Sequence, residues 1–101
     1  MLVHVTSEDF PLTDAIRNFI DEQLGQVKTR LPDSARIDVF LKKDGPRDFR
    51  VIIKSHVFDH EVQGEGYGGD LYQDIRLAKQ DFDQPAHNCV EKFRSKRHAG
   101  D

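Results

Sequence analysis

The sequence predicts an α+β domain of order β-α-β-β-β-α, with two helices packed on one face of a four-stranded sheet. Three observations predict it. Apolar residues recur at steps of three and four in two separate segments, Ile16 to Leu31 and Leu71 to Phe93. Outside and between those segments, short runs alternate apolar with polar residues, the period of strands with one face packed. A chain of 101 residues, 37% of them hydrophobic, has material for one modest core. There are no internal repeats and no low-complexity linker, so residues 1–94 are expected to form one domain and residues 95–101 a frayed basic tail.

The elements follow in order. Leu2-Val3-His4-Val5-Thr6 alternates, with Val3 and Val5 sharing a face, and reads as a short strand. Asp9-Phe10-Pro11 breaks it. Thr13 is suited to cap a helix with Asp14 in its first turn, and Ile16, Ile20, Leu24, Val27 and Leu31 form its apolar stripe. Leu31-Pro32 ends it, because the proline ring disfavours helical geometry in the residue before it. In Arg36-Ile37-Asp38-Val39-Phe40-Leu41, the residues Ile37, Val39 and Leu41 share a face, and Asp44-Gly45-Pro46 supplies a turn. Phe49, Val51 and Ile53 share the packed face of the next strand, while Arg50 and Lys54 face solvent.

Phe58-Asp59-His60 reads as a tight turn into a weaker strand, Glu61 to Glu65, whose low apolar content suits a sheet edge. Gly66-Tyr67-Gly68-Gly69 is expected to be flexible punctuation. Asp70 can then cap a helix bearing Leu71, Ile75, Ala78, Phe82, Ala86, Val90 and Phe93 at helical spacing. Pro85 removes a backbone donor inside that helix, so a kink or break is expected near Asp81 to Gln84. If the first two strands are parallel neighbours, the first helix crosses between them right-handedly.

Composition narrows the function. The single cysteine, Cys89, permits no intrachain disulfide and suits a reducing compartment, so a cytoplasmic setting is expected. Met1-Leu2-Val3-His4 is not the start of a signal peptide, and no run is long and apolar enough for a membrane span. The formal net charge is −3, so contact with nucleic acid has to come from local basic patches.

The chemistry-bearing residues point to binding rather than catalysis. His56 and His60 flank a hairpin without a third ligand near in sequence, and read as solvent-exposed. His87 and Cys89 sit about 200° apart around a helix, too far to share one ion. Cys89 falls beside Val90 on the apolar stripe, where a buried thiol is the ordinary reading, and the carboxylate pairs lie on solvated helix faces. No enzyme is expected. The glycines before Asp70 precede a helix but lack a Walker lysine or dinucleotide spacing, so no nucleotide, metal or other cofactor is expected.

The element order, the helix start Thr13-Asp14-Ala15-Ile16-Arg17 and the second helix start Gly69-Asp70-Leu71-Tyr72-Gln73-Asp74-Ile75 resemble the ribosome hibernation promoting factor and ribosome-associated inhibitor family, the sigma-54 modulation proteins. In that family the helices open Thr-x-Ala-Leu/Ile-Arg and Asp-Met-Tyr-x-Ala-Ile. The resemblance covers nearly the whole chain and implies a monomeric stress-response domain. It would bind ribosomal RNA of the small subunit between head and body, stoichiometrically, occluding the messenger and transfer RNA channel. It also implies a short form, without the C-terminal domain by which longer members pair ribosomes.

The expected RNA contacts are Lys28, Arg30, Arg76, Lys79, Lys92, Arg94, Lys96 and Arg97. Family members carry lysines and arginines along one face of each helix. At the aligned positions stand Gln23, Gln26 and Thr29, then Asp81, Gln84 and Asn88. The rival expectation is therefore a diverged paralogue that binds another protein as a stress regulator. A double-stranded RNA module has a similar element order but needs a lysine-rich helix start that is absent here.

Overall fold

The computed structural model describes residues 2–32 and 35–99, with side chains placed over 3–32 and 35–93. Its elements are β1 (Leu2–Glu8), α1 (Asp14–Arg30), β2 (Arg36–Lys43), β3 (Phe49–Val57), β4 (His60–Gly68) and α2 (Leu71–Ala99). The sheet order is β1-β2-β3-β4. β1 and β2 run parallel, with Val3 opposite Ile37, and α1 makes the crossover between them. β3 and β4 extend the sheet as antiparallel hairpins, with Val39 opposite Ile53 and Ile53 opposite Gly64.

Each helix starts where a side chain satisfies its free amides. Thr13 Oγ1 accepts the Ile16 N–H at 3.2 Å, and Asp70 Oδ1 accepts the N–H groups of Tyr72 at 3.0 Å and Gln73 at 3.4 Å. α1 ends at Leu31, which is extended, before Pro32. Ile16, Ile20, Leu24 and Val27 of α1 meet Ile37, Val39, Leu41, Val51 and Ile53 of the sheet, and Ile75, Ala78, Phe82 and Ala86 of α2 complete one core. Ser55 is buried within it and donates to the Arg36 carbonyl at 2.7 Å, so its hydroxyl is not left unpaired.

The β3–β4 hairpin turns on two residues, Phe58 (φ 49°) and Asp59 (φ 68°), between the paired Val57 and His60. Left-handed backbone is unfavourable for a bulky residue. Here the Phe58 ring stacks flat on Phe93 of α2, centroids 3.8 Å apart, which helps hold the turn.

Two expectations are corrected. The glycine run is not flexible punctuation: Gly64, Gly66 and Gly68 belong to β4 and alternate onto the side that meets α2. A Cβ at Gly64 would lie 2.3 Å from the Phe82 nitrogen, and one at Gly66 2.3 Å from the Asp74 carbonyl oxygen. Glycine therefore lets the α2 backbone rest directly on the strand. The break expected near Asp81 to Gln84 is absent, since α2 is helical through Pro85. Buried Phe82, Ala86 and Val90 on either side of the proline seat both halves on the same core. The helix extends to Ala99, and the last two residues of the expected tail, 100 and 101, lie outside the described residues.

β4 is an edge strand, as expected. No helix of the described residues is long and apolar enough to cross a membrane.

Candidate nucleic-acid interface

The candidate cations do not share one surface. Successive helical residues are offset by about 100°, which puts Lys28 about 160° around α1 from Arg30. The same arithmetic puts Lys92 about 160° around α2 from Arg76. Arg30, Arg76 and Lys79 lie on the sides of α1 and α2 that face each other. Lys28 and Lys92 lie on opposite flanks. Arg94, Lys96 and Arg97 are on the last turns of α2, where their side chains fall outside the described residues.

Between the helices lies an open cleft of about 450 Å³, lined by Arg30 at the end of α1, the following Leu31, and Asp83, His87 and Glu91 of α2. Outside that lining, the Arg76 guanidinium lies 5.3 Å from the centre of the Phe19 ring, and Phe19 meets Tyr72 edge-on at 5.0 Å. The arginine keeps its charge and gains a rigid platform. Lys79 is committed differently: its ammonium lies 2.7 Å from Asp83 one turn away, with both side chains mostly buried. Arg30 is thus the arginine of this cleft, and Arg76 stands apart from it on the Phe19 ring.

Of the six positions where the family's basic face was expected, four, Thr29, Asp81, Gln84 and Asn88, make local side-chain hydrogen bonds. Asp81 Oδ2 accepts the Glu65 N–H at 2.9 Å, satisfying an amide on the free edge of β4. Gln84 donates to Asn88 Oδ1 at 3.0 Å, and the Thr29 hydroxyl donates to the Gln26 carbonyl at 2.7 Å. Gln23 is half-buried and Gln26 exposed. Asn88 and Lys92 line a second groove of about 690 Å³ beside β4, together with Val62, Pro85, Cys89 and Phe93. Cys89 is half-buried there, its thiol donating to the Val57 carbonyl at 3.3 Å.

The metal candidates stay apart. His56, His60 and His87 are exposed. Among the described residues no group of three histidine, cysteine or carboxylate side chains is placed to hold an ion.

Periodicity passed over two features. Phe19 and Tyr72 lie off the buried stripes of their helices, and an aromatic off the stripe was the available signal. Asp74 is only 1% exposed, and its Oδ2 has no hydrogen-bond partner. Burial pushes its carboxyl above the ordinary carboxylate range, with Asp70 and then Asp48 adding to the effect.

Fold and surface together define a domain of one four-stranded sheet and two helices, with a cleft between the helices and a cationic and aromatic cluster at Arg76, Phe19 and Tyr72. Residues 3–94 match the model of the sigma 54 modulation protein / S30EA ribosomal protein family, and the chain belongs to that family of ribosome-associated factors. Its fold is similar to the N-terminal domain of Protein Y from Thermus thermophilus, with a TM-score of 0.77 and 21% identity over 87% of this chain and 98% of that one. It is also similar to a ribosomal subunit interface protein from Coxiella burnetii, with a TM-score of 0.73 and 11% identity over 94% of this chain and 99% of that one. No curated protein sequence matches the chain.

Proposed function

We propose that this protein binds the small ribosomal subunit between head and body, occludes the channel for messenger and transfer RNA, and silences idle ribosomes without turnover. The carrying observation is the family match across residues 3–94. Both family-like helix starts also form as capped helices on a common core. Arg30 and Arg76, supported by Lys28 and Lys92, are the groups that meet ribosomal RNA phosphates in this reading, and the basic end of α2 adds Arg94, Lys96 and Arg97. Sedimentation with purified ribosomes at low and moderate salt tests it. Recovery in the small-subunit fraction is the expected result, and absence at both salts rejects it.

A second reading, a paralogue that keeps the fold and binds another protein, is favoured by one group of contacts. Asp81, Gln84 and Asn88 occupy aligned basic positions and are engaged with Glu65 or each other. A pull-down that recovers only ribosomal components excludes this reading.

A further inference from the structure

The sheet face turned away from the helices is covered by no element among the described residues. Strand alternation places Phe40, Lys42, Arg50, Ile52, Lys54 and Tyr67 on it. Phe40 stands opposite Ile52, and Lys42 stands opposite Arg50, which in turn pairs with Tyr67. An open sheet face is ordinarily polar. Here it carries two aromatic rings, Phe40 at 38% and Tyr67 at 69% exposure. With strands about 4.8 Å apart and about 3.3 Å of rise per residue, the two residues are separated by about 12 Å across the sheet.

The charges on this face are unequally committed. Glu65 lies 3.3 Å and Asp44 3.5 Å from Arg50, and Asp38 lies 3.2 Å from Arg36. Lys42 and Lys54 have no carboxylate partner among the described residues, and the Lys54 ammonium stands 6.0 Å from the centre of the Phe40 ring. Glu8 beside Lys42, Asp38 opposite Lys54, and Glu61 and Glu65 on β4 are acids of the same face that oppose this balance.

Exposed rings flanked by ammonium groups without carboxylate partners match the chemistry of unpaired bases and the phosphates joining them. Every base has a face that stacks on an aromatic ring, and an open four-stranded sheet is a suitable platform. A protein partner would call for a continuous apolar centre with charge excluded from it, whereas here Asp38, Lys42, Arg50, Lys54 and Glu65 border the Phe40–Ile52 pair. We propose that the open sheet face is a second site, separate from the helix cleft, that binds single-stranded RNA. Phe40 and Tyr67 stack bases, and Lys42 and Lys54 meet phosphates. The site does not rest on ribosome binding.

The test is fluorescence anisotropy of a short fluorescein-labelled oligouridylate titrated with the protein at low and moderate salt. The expected result is saturable binding that Y67A and F40A each weaken about tenfold. K42Q combined with K54Q lowers the salt slope by about 1.4, and E8Q tightens binding. Tyr67 and the lysines are at the surface, so these variants test the site even if F40A impairs folding. The proposal is overturned by no saturable binding at low salt, by Y67A binding as the parent does, or by a duplex of equal length competing as well as the single strand.

Discussion

Asp74 stands where the family pattern has alanine, in the first turn of α2, and two opposing effects act on its carboxyl. The helix N-terminus favours a negative charge there. Burial opposes it, and the raised pKa shows that burial, reinforced by Asp70 and Asp48, is the larger effect. Space is tight as well, because a Cβ at Gly68 would lie 2.8 Å from Asp74 Oδ1. A carboxyl whose pKa is higher folded than unfolded holds its proton more tightly in the native state, so between the two values the native state binds more protons. Its contribution is fully present below the ordinary value of 3.8 and is lost as pH rises through the folded value. D74N removes this titration. Urea unfolding should therefore show the parent losing stability relative to D74N as pH rises above 3.8. At neutral pH the variant should be more stable by about 1 kcal/mol, the scale of one unsatisfied buried polar group. Parallel stability profiles for the two proteins would show that Asp74 is not strained.

At the scale of elements, the least expected structure is β4, which has Val62 as its single buried large apolar side chain yet lies flat beneath α2. Its glycines supply that contact by absence of side chain. G66A would place a methyl group against the Asp74 carbonyl and the Ala78 nitrogen, backbone atoms that cannot turn aside. Thermal or urea denaturation should show a loss of about 3 kcal/mol, the upper part of the overpacking range. G25A, where a Cβ meets nothing within 4 Å, should be neutral or slightly stabilising because alanine favours helix. The remaining elements were legible because side-chain period encodes them: Ile16, Ile20, Leu24 and Val27 pattern α1, and Ile37, Val39 and Leu41 pattern β2. Glycine contributes no hydropathy period, so Gly66 to Gly69 looked like a loop. Pro85 looked like a break because its local effect was visible, whereas the packing of Phe82 and Ala86 that holds the helix together is tertiary. The site was legible as a set of basic residues but not as a surface. Whether Lys79 is available depends on Asp83, and whether Asp81 is spare depends on an edge amide sixteen residues away in the chain.

For the whole molecule, the formal charge of −3 means that long-range attraction does not draw this protein to a polyanion, and salt at about 0.1 M screens charges beyond about 10 Å in any case. Binding to RNA must then come from close contacts, each contributing to a steep dependence on salt. The cations are divided between the helix cleft, the outer flank of α2 and the open sheet face, so no one contact surface collects them all. The aligned positions on α2 offer a direct test of whether this dispersal limits ribosome binding. Q84K with N88K adds two cations on the outer flank at the expense of only one exposed side-chain hydrogen bond. If ribosome binding uses that flank, sedimentation at about 0.1 M salt should show affinity rising by up to about tenfold for each phosphate contact made, with a steeper salt slope. D81K belongs in a separate arm, because removing Asp81 leaves the Glu65 amide without its acceptor and should lower stability by about 1 kcal/mol. Unchanged ribosome affinity in a folded Q84K/N88K protein would mean that this flank does not face RNA, leaving Arg30 and Arg76 on the facing sides of the helices to carry the contact.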